Sequence, residues 1–130
     1  MKISLYQSLL NTAYKSESLF IDEIDSIQKL QIWFNSNNLS KVIATDELIF
    51  NLQNIRHMMK KLINQFENDK TLDFEPLNKF AEKFKTTDSL IQIGRSSVNF
   101  MTDGVAFKEP YQSILMSFKT EAGLQSCTRD

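Results

Sequence analysis

The sequence predicts a mainly α-helical (α+β) domain that is compact and has a small antiparallel β-hairpin before the last helix. Apolar residues recur at helical spacing over long stretches, and only three glycines and two prolines interrupt the 130 residues. One later segment instead alternates apolar and polar residues. A chain of this length fits one domain and can bury a core without disulfides. We expect one helical domain over residues 1–123 and a tail at 124–130.

The first elements lie in the N-terminal third of the chain. Apolar residues share one helical face over residues 4–14, which favours a helix, although a short strand that ends at Leu10 fits nearly as well. The segment 25–34 is a clearer helix, because Asp25 can cap it and Gln28 is placed to reach back to the cap. Its apolar stripe is Ile27, Leu30 and Phe34, with Trp33 beside it.

The longest predicted helix covers residues 45–67. Thr45 or Asp46 is expected to cap it, and early acidic residues favour the positive end of the helix dipole. Its stripe keeps the helical period throughout: Leu48, Leu52, Ile55, Met59, Leu62, Ile63 and Phe66. A further helix follows, with Asp73 as its expected cap and Pro76 in the tolerated first turn.

The pattern changes in the last third of the chain. Alternating apolar residues on both sides of Gly94 predict a β-hairpin over residues 91–100. Residues 104–110 are interpreted as a third short extended segment. A final helix is expected to begin near Pro110 and to end at Gly123, because glycine is common just past a helix end.

Composition excludes several functional classes. Fifteen basic and sixteen acidic residues give a net charge of −1, so no strong positive field for direct nucleic-acid binding is expected. One Cys and one His cannot build a Cys/His zinc site, and no apolar run approaches a membrane span. No phosphate loop or catalytic motif is present. We expect a cytoplasmic protein that is not an enzyme and uses no metal or cofactor.

A few polar residues merit individual interpretation. His57 lies opposite the apolar stripe and is expected to be in solvent. Arg56 lies on the shoulder of the stripe, where an intramolecular salt bridge is favoured over ligand binding. Trp33 is most simply a core residue, but it could also line a pocket with Asn11 or Asn78. Cys127 is interpreted as a stray thiol.

The order of these features resembles a known family, the ABATE-type N-terminal domain of stress-induced transcription regulators, which precedes a CGNR zinc finger. In that family an apolar segment runs into Asn-Thr, a Trp closes the first clear helix, an Arg lies midway along the long helix, and a Leu-Asn pair opens the next. The matching residues here are Asn11, Thr12, Trp33, Arg56, Leu77 and Asn78.

Two departures limit what the resemblance implies. Leu10 stands where the family usually has Asp before Asn-Thr. The zinc-binding module is missing from these 130 residues, and Cys127 falls near the position of its first Cys. Zinc binding and DNA binding are therefore not carried over to this chain.

The resemblance implies a sensory or regulatory domain without its own DNA-binding finger. Its partner would be a small-molecule ligand or another protein, with no membrane involved. Our hypothesis for the ligand-binding residues is Asn11, Thr12, Trp33, Arg56 and Asn78, because these polar groups flank apolar stripes. The alternative is a helical protein–protein interaction module without a ligand, served by exposed apolar residues such as Ile32 and Met116.

Overall fold

The computed structural model describes residues 3–68, 73–86 and 106–121. The chain divides into two compact units, Met1–His57 and Met58–Asp130, and the longest helix runs from one into the other. The elements, in chain order, are α1 (Leu5–Leu10), β1 (Ala13–Ser16), β2 (Leu19–Asp22), α2 (Ile27–Ser36), α3 (Asp46–Glu67), α4 (Glu75–Ala81), a 3₁₀ turn (Glu82–Phe84) and α5 (Tyr111–Glu121).

The predicted fold class is confirmed. The described residues form five α-helices and one antiparallel two-stranded hairpin that precedes the last helix. This hairpin pairs β1 with β2, a place where the sequence did not predict one. The hairpin predicted at 91–100 lies outside the described residues, and the single domain predicted over residues 1–123 stays a prediction.

The first element is a helix that ends earlier than the sequence predicted. α1 stops at Leu10, and the chain turns through Asn11 and Thr12 into β1. The Thr12 hydroxyl donates to the Leu9 carbonyl oxygen at 2.6 Å, which satisfies a helix-end carbonyl from within the turn. The hairpin register then runs from Ala13 opposite Asp22 to Ser16 opposite Leu19.

The hairpin turns through two residues with left-handed backbone angles. Glu17 has φ 52° and Ser18 has φ 76°, the signs that a type I′ turn requires at both central positions. Such turns match the twist of the strands but favour Asn-Gly, because Cβ makes positive φ unfavourable, glycine has no Cβ, and Asn tolerates this region. The turn is therefore strained at two residues that carry ordinary side chains.

Ser26, and not the predicted Asp25, caps α2. The Ser26 hydroxyl oxygen accepts the backbone N–H of Lys29 at 3.2 Å, the third helical position that a cap side chain reaches. Asp25 instead contacts the Lys29 ammonium at 3.1 Å. The helix ends through Asn38 at φ 64°, with the Leu39 N–H donating to the Phe34 carbonyl at 2.8 Å.

A glutamine side chain connects α2 to the segment that leads into α3. The Gln31 amide donates to the Val42 carbonyl at 3.0 Å and accepts the Ala44 N–H at 2.9 Å. Thr45 then caps α3, as one of the two predicted alternatives, by accepting the Leu48 N–H at 3.1 Å. The buried side chains of the first unit are Leu9, Ile24, Leu30, Trp33, Phe34, Leu39, Ala44, Leu52 and Ile55.

The second unit places two helices around an aromatic core. The Phe84 and Tyr111 rings stack with centroids 3.7 Å apart, and an isolated bridge pairs Lys85 with Phe107. α5 begins directly after Pro110, as predicted, and Gly123 lies outside the described residues. The buried apolar side chains here are Met59, Leu62, Phe74, Leu77, Ala81, Phe84, Phe107, Tyr111, Ile114, Leu115 and Phe118.

Three sequence expectations within helices are corrected. Ile27 is 42% exposed and Phe66 is 52% exposed, although both follow the apolar stripe. Each lies in a terminal turn of its helix, where the helical period continues past the buried stretch. Asp73 is not at the cap position of α4, which Phe74 occupies, but its carboxylate accepts the Glu75 N–H at 3.2 Å.

Within the described residues, no helix has both the length and the apolar character needed to cross a membrane.

Ser18→Gly is expected to stabilise the protein by about 1 kcal/mol, because glycine adopts positive φ without a Cβ clash. Urea unfolding measures the change. Ser40→Gly is the matched control: Ser40 is also exposed and lies in a loop, but it is not among the described residues with positive φ. An equal change in the two variants would contradict the strained turn.

Candidate functional site

A buried ion pair connects the hairpin to α3. The Arg56 guanidinium donates to both carboxylate oxygens of Asp22, at 3.0 Å and 2.7 Å. The two side chains are only 11% and 9% exposed. This paired geometry is the strongest form of carboxylate recognition by arginine. The interaction holds the end of β2 against α3, although Asp22 and Arg56 are 34 positions apart in the chain.

Neighbouring polar groups complete this network. The Thr12 hydroxyl oxygen accepts from Arg56 at 2.7 Å, while its proton goes to the Leu9 carbonyl. Asp22 also accepts the Ile24 N–H at 3.1 Å and the Gln53 amide at 3.0 Å. No buried side-chain N or O atom in the described residues is left without a hydrogen-bond partner. Such full satisfaction is what makes a buried charge tolerable.

The ionisation of Asp22 reflects these opposing influences. Burial raises the pKa of this carboxyl, but the hydrogen bonds from Arg56, Ile24 and Gln53, with the guanidinium charge, outweigh burial. The pKa of Asp22 therefore lies below its ordinary value of 3.8. The carboxylate stays charged, and paired with Arg56, at neutral pH.

The first unit also has a groove that is lined by Trp33. Its volume is about 450 Å³, within the range of small-ligand sites. Trp33 is 8% exposed and its indole N–H donates to the Ser8 hydroxyl at 3.0 Å, which joins α2 to α1. The Asn37 amide donates to the Trp33 carbonyl at 2.8 Å. The lining residues are Ser8, Glu23, Lys29, Ile32, Trp33, Ser36 and Asn37.

Two charged residues flank the groove, and their partners differ. Lys29 contacts the Asp25 carboxylate, which offsets part of its charge. Glu23 accepts a hydrogen bond from the neutral Tyr14 hydroxyl at 2.9 Å. This hydrogen bond, then burial, then the Glu23 charge raise the pKa of Tyr14 above its ordinary value of 10.0, against the Lys29 charge, which lowers it.

The structure brings some of the predicted site residues together and separates others. Thr12 and Arg56 bond directly, and Arg56 has the intramolecular salt bridge that the sequence favoured. Trp33 alone of the five lines the described groove. Asn11 is exposed at the end of α1, and Asn78 lies in α4 of the second unit. One pocket containing all five residues stays a prediction.

Sequence reasoning missed several residues of these sites. Asp22 and Gln53 follow no motif, because their roles arise from the unpredicted hairpin meeting α3. Glu23 and Lys29 were indistinguishable from surface charge. One signal was available: Ser8 is a small polar residue in the apolar face next to Leu9, which is typical of a residue that accepts a bond from another element.

His57 is exposed, as predicted, and Cys127 lies outside the described residues. Within the ranges that the structure describes, no three His, Cys, Asp or Glu side chains cluster in a way that could hold a metal ion.

Comparison of the chain with protein-family models, with curated proteins and with solved structures found no match. The resemblance to the ABATE-type domain therefore stays a prediction carried by the sequence features.

Arg56→Met is expected to destabilise the protein by about 3 kcal/mol at pH 7, because it keeps the aliphatic stem but leaves Asp22 buried without its cation. Urea unfolding measures this loss. Lys29→Met is the matched control, since it removes the cation of an exposed pair, and it should cost less than about 0.5 kcal/mol. Equal losses in both variants would contradict a dominant role for the buried pair.

The loss of stability in Arg56→Met should depend on pH in a defined direction. Because the folded pKa of Asp22 is lowered, its contribution is present above the unfolded value of 3.8 and is lost as pH falls below about 4. The difference in the free energy of unfolding between the wild type and Arg56→Met should therefore narrow as the pH falls through 3.8 and below. A constant difference would show that Asp22 is not the partner that matters.

Proposed function

We propose that this chain is a ligand-binding regulatory domain of a bacterial stress-related transcription regulator, and that the ligand occupies the Trp33 groove. The regulator part rests on the order of Asn11-Thr12, Trp33, Arg56 and Leu77-Asn78 in the sequence. The ligand part rests on the groove itself. The observation that carries the proposal is a groove of ligand size lined by Trp33, whose indole is held by a hydrogen bond to Ser8.

The position of the groove offers a way for ligand binding to affect the hairpin. Glu23 lines the groove and directly follows Asp22 in the chain. The Glu23 N–H donates to the Thr12 carbonyl at 2.7 Å, at the base of the hairpin. A ligand that binds Glu23 therefore acts on the hairpin end that Arg56 holds against α3. If the hairpin has two arrangements, a ligand that binds one of them more tightly would raise the population of that arrangement.

Exposed apolar side chains support the alternative, a protein-interaction module. Five large apolar residues of the first unit are between 63% and 71% exposed: Leu19, Phe20, Ile32, Ile43 and Phe50. Leu19 and Phe20 are consecutive and directly follow the hairpin turn. Apolar surface marks an association site where it is contiguous, whereas isolated apolar residues are normal on any surface.

Trp33 supplies the test of ligand binding, because it is the only tryptophan in the chain and it lines the groove, so its emission comes from one known position. We expect saturable changes in tryptophan emission with at least one compound of two probe series: hexylamine, hexanol and hexanoate, and benzylamine, benzyl alcohol and benzoate. Ile32→Ser, which removes an apolar wall of the groove, should weaken this response.

Ile43→Ser is the matched control, since Ile43 is 71% exposed and does not line the groove. It should leave the response unchanged. If all six compounds leave Trp33 emission unaltered in the wild type, the groove is not a ligand site and the interaction module becomes the better proposal.

The transcriptional part of the proposal is tested at the native locus. The near-neutral charge of this chain provides no field for DNA binding, so a regulator needs a further module. We expect the reading frame to continue past the Asp130 codon into a cysteine- and arginine-rich stretch with a Cys-Gly-Asn-Arg signature. Sequencing the locus decides this, and a stop codon directly after Asp130 would contradict the proposal.

A further inference from the structure

The Trp33 groove has an excess of negative charge at its rim. Its lining contains one carboxylate, Glu23, and one ammonium, Lys29. Lys29 is 3.1 Å from the Asp25 carboxylate, which lies beside the lining and offsets part of the Lys29 charge. Among the described residues, no cation lies within salt-bridge distance of Glu23, whose hydrogen-bond donor is the neutral Tyr14 hydroxyl. With Asp25 counted, the charged groups at this rim are two carboxylates and one ammonium, a net charge of −1.

The rest of the lining is suited to an apolar body. The Trp33 ring is held in place by its bond to Ser8, and Ile32, which is 64% exposed, forms a wall with few neighbours of its own. Apolar surface on such walls is available for a ligand to cover. Trp33 is 8% exposed, so only a small part of its ring meets the groove, and an aromatic ring attracts cations to its face. Aromatic surface and carboxylate thus favour the same sign of ligand charge.

We infer that the groove binds an organic cation: a protonated amine whose ammonium group faces Glu23 and whose apolar body lies on Trp33 and Ile32. This inference rests on the proposed function and specifies its ligand class. An anion is disfavoured at Glu23 by like charge, and a neutral ligand can gain a hydrogen bond from it but no charge attraction. An amine also offers donors to the Glu23 carboxylate, which the Tyr14 hydroxyl leaves with acceptor capacity.

The two probe series isolate head-group charge, because the members of each share one carbon skeleton. At pH 7 the alkylamines are protonated, like a lysine side chain. We expect hexylamine and benzylamine to bind more tightly than the matched alcohols and carboxylates, with Trp33 emission as the signal. The preference for the amines should shrink as salt is added, because Glu23 is exposed to solvent.

Glu23→Gln keeps an acceptor for Tyr14 and removes only the charge. It should weaken hexylamine binding about fivefold, the effect of one charge pair near 4 Å in a water-exposed site. Glu47→Gln is the matched control, because it makes the same change in net charge at an exposed residue of α3 outside the groove lining. It should leave hexylamine affinity unchanged. Circular dichroism checks that both variants are folded.

The outcomes separate the two proposals. The inference that the ligand is a cation is supported if the amines bind more tightly than the matched compounds and this preference falls in Glu23→Gln but not in Glu47→Gln. Equal or tighter binding of an alcohol or carboxylate, or an unaltered amine affinity in Glu23→Gln, overturns the cation class and leaves the groove as a ligand site. The absence of any response to all six compounds overturns the proposed function together with this inference.

Discussion

The first unit depends on one interaction, the buried pair of Arg56 and Asp22. A hairpin of two four-residue strands is at best marginally stable alone in water, so β1 and β2 need an attachment. Arg56 provides it through two charge-assisted hydrogen bonds and a third bond to Thr12. The arginine therefore fixes both strands of the hairpin at their common end, since Thr12 precedes β1 and Asp22 closes β2.

Burying this pair has a cost that shapes the surrounding sequence. A guanidinium and a carboxylate lose hydration when they leave water, and their attraction repays this only when the remaining donors and acceptors are satisfied. Gln53 of α3, Ile24 of the turn after β2 and Leu9 of α1 supply those bonds. A buried pair of this kind specifies one arrangement of the hairpin, because any shift in register would leave charges unpaired.

Helices were predictable from the sequence because helical periodicity is a local signal. The stripe of α3, its cap at Thr45 and the start of α5 after Pro110 all follow from neighbouring residues. The β1–β2 hairpin was not, because its turn, Ser16-Glu17-Ser18-Leu19, contains neither Gly nor Asn and so lacks the usual turn signal. Tertiary attachment through Asp22 overrides this weak local preference. Ser26 replaced Asp25 as a cap because both residue types suit that position.

The candidate site was predicted less completely than the fold. Trp33 was a candidate because a large aromatic near a helix end either fills a core or lines a pocket, and in the structure it is buried and forms a groove wall. Glu23 and Lys29 reach the groove only through the hairpin and the entry to α2, so their roles depend on long-range geometry. The preference for an intramolecular role of Arg56 was correct, but its partner Asp22 depends on that same geometry.

The spacing of the ion pair also orders events during protein synthesis. Asp22 emerges from the ribosome well before Arg56, which is 34 positions later in the chain. Until the middle of α3 has emerged, the hairpin lacks the partner that holds Asp22 and Thr12. The amino-terminal strands are therefore made early and attached late, and the hairpin of the nascent chain is at best marginally stable until Arg56 is available.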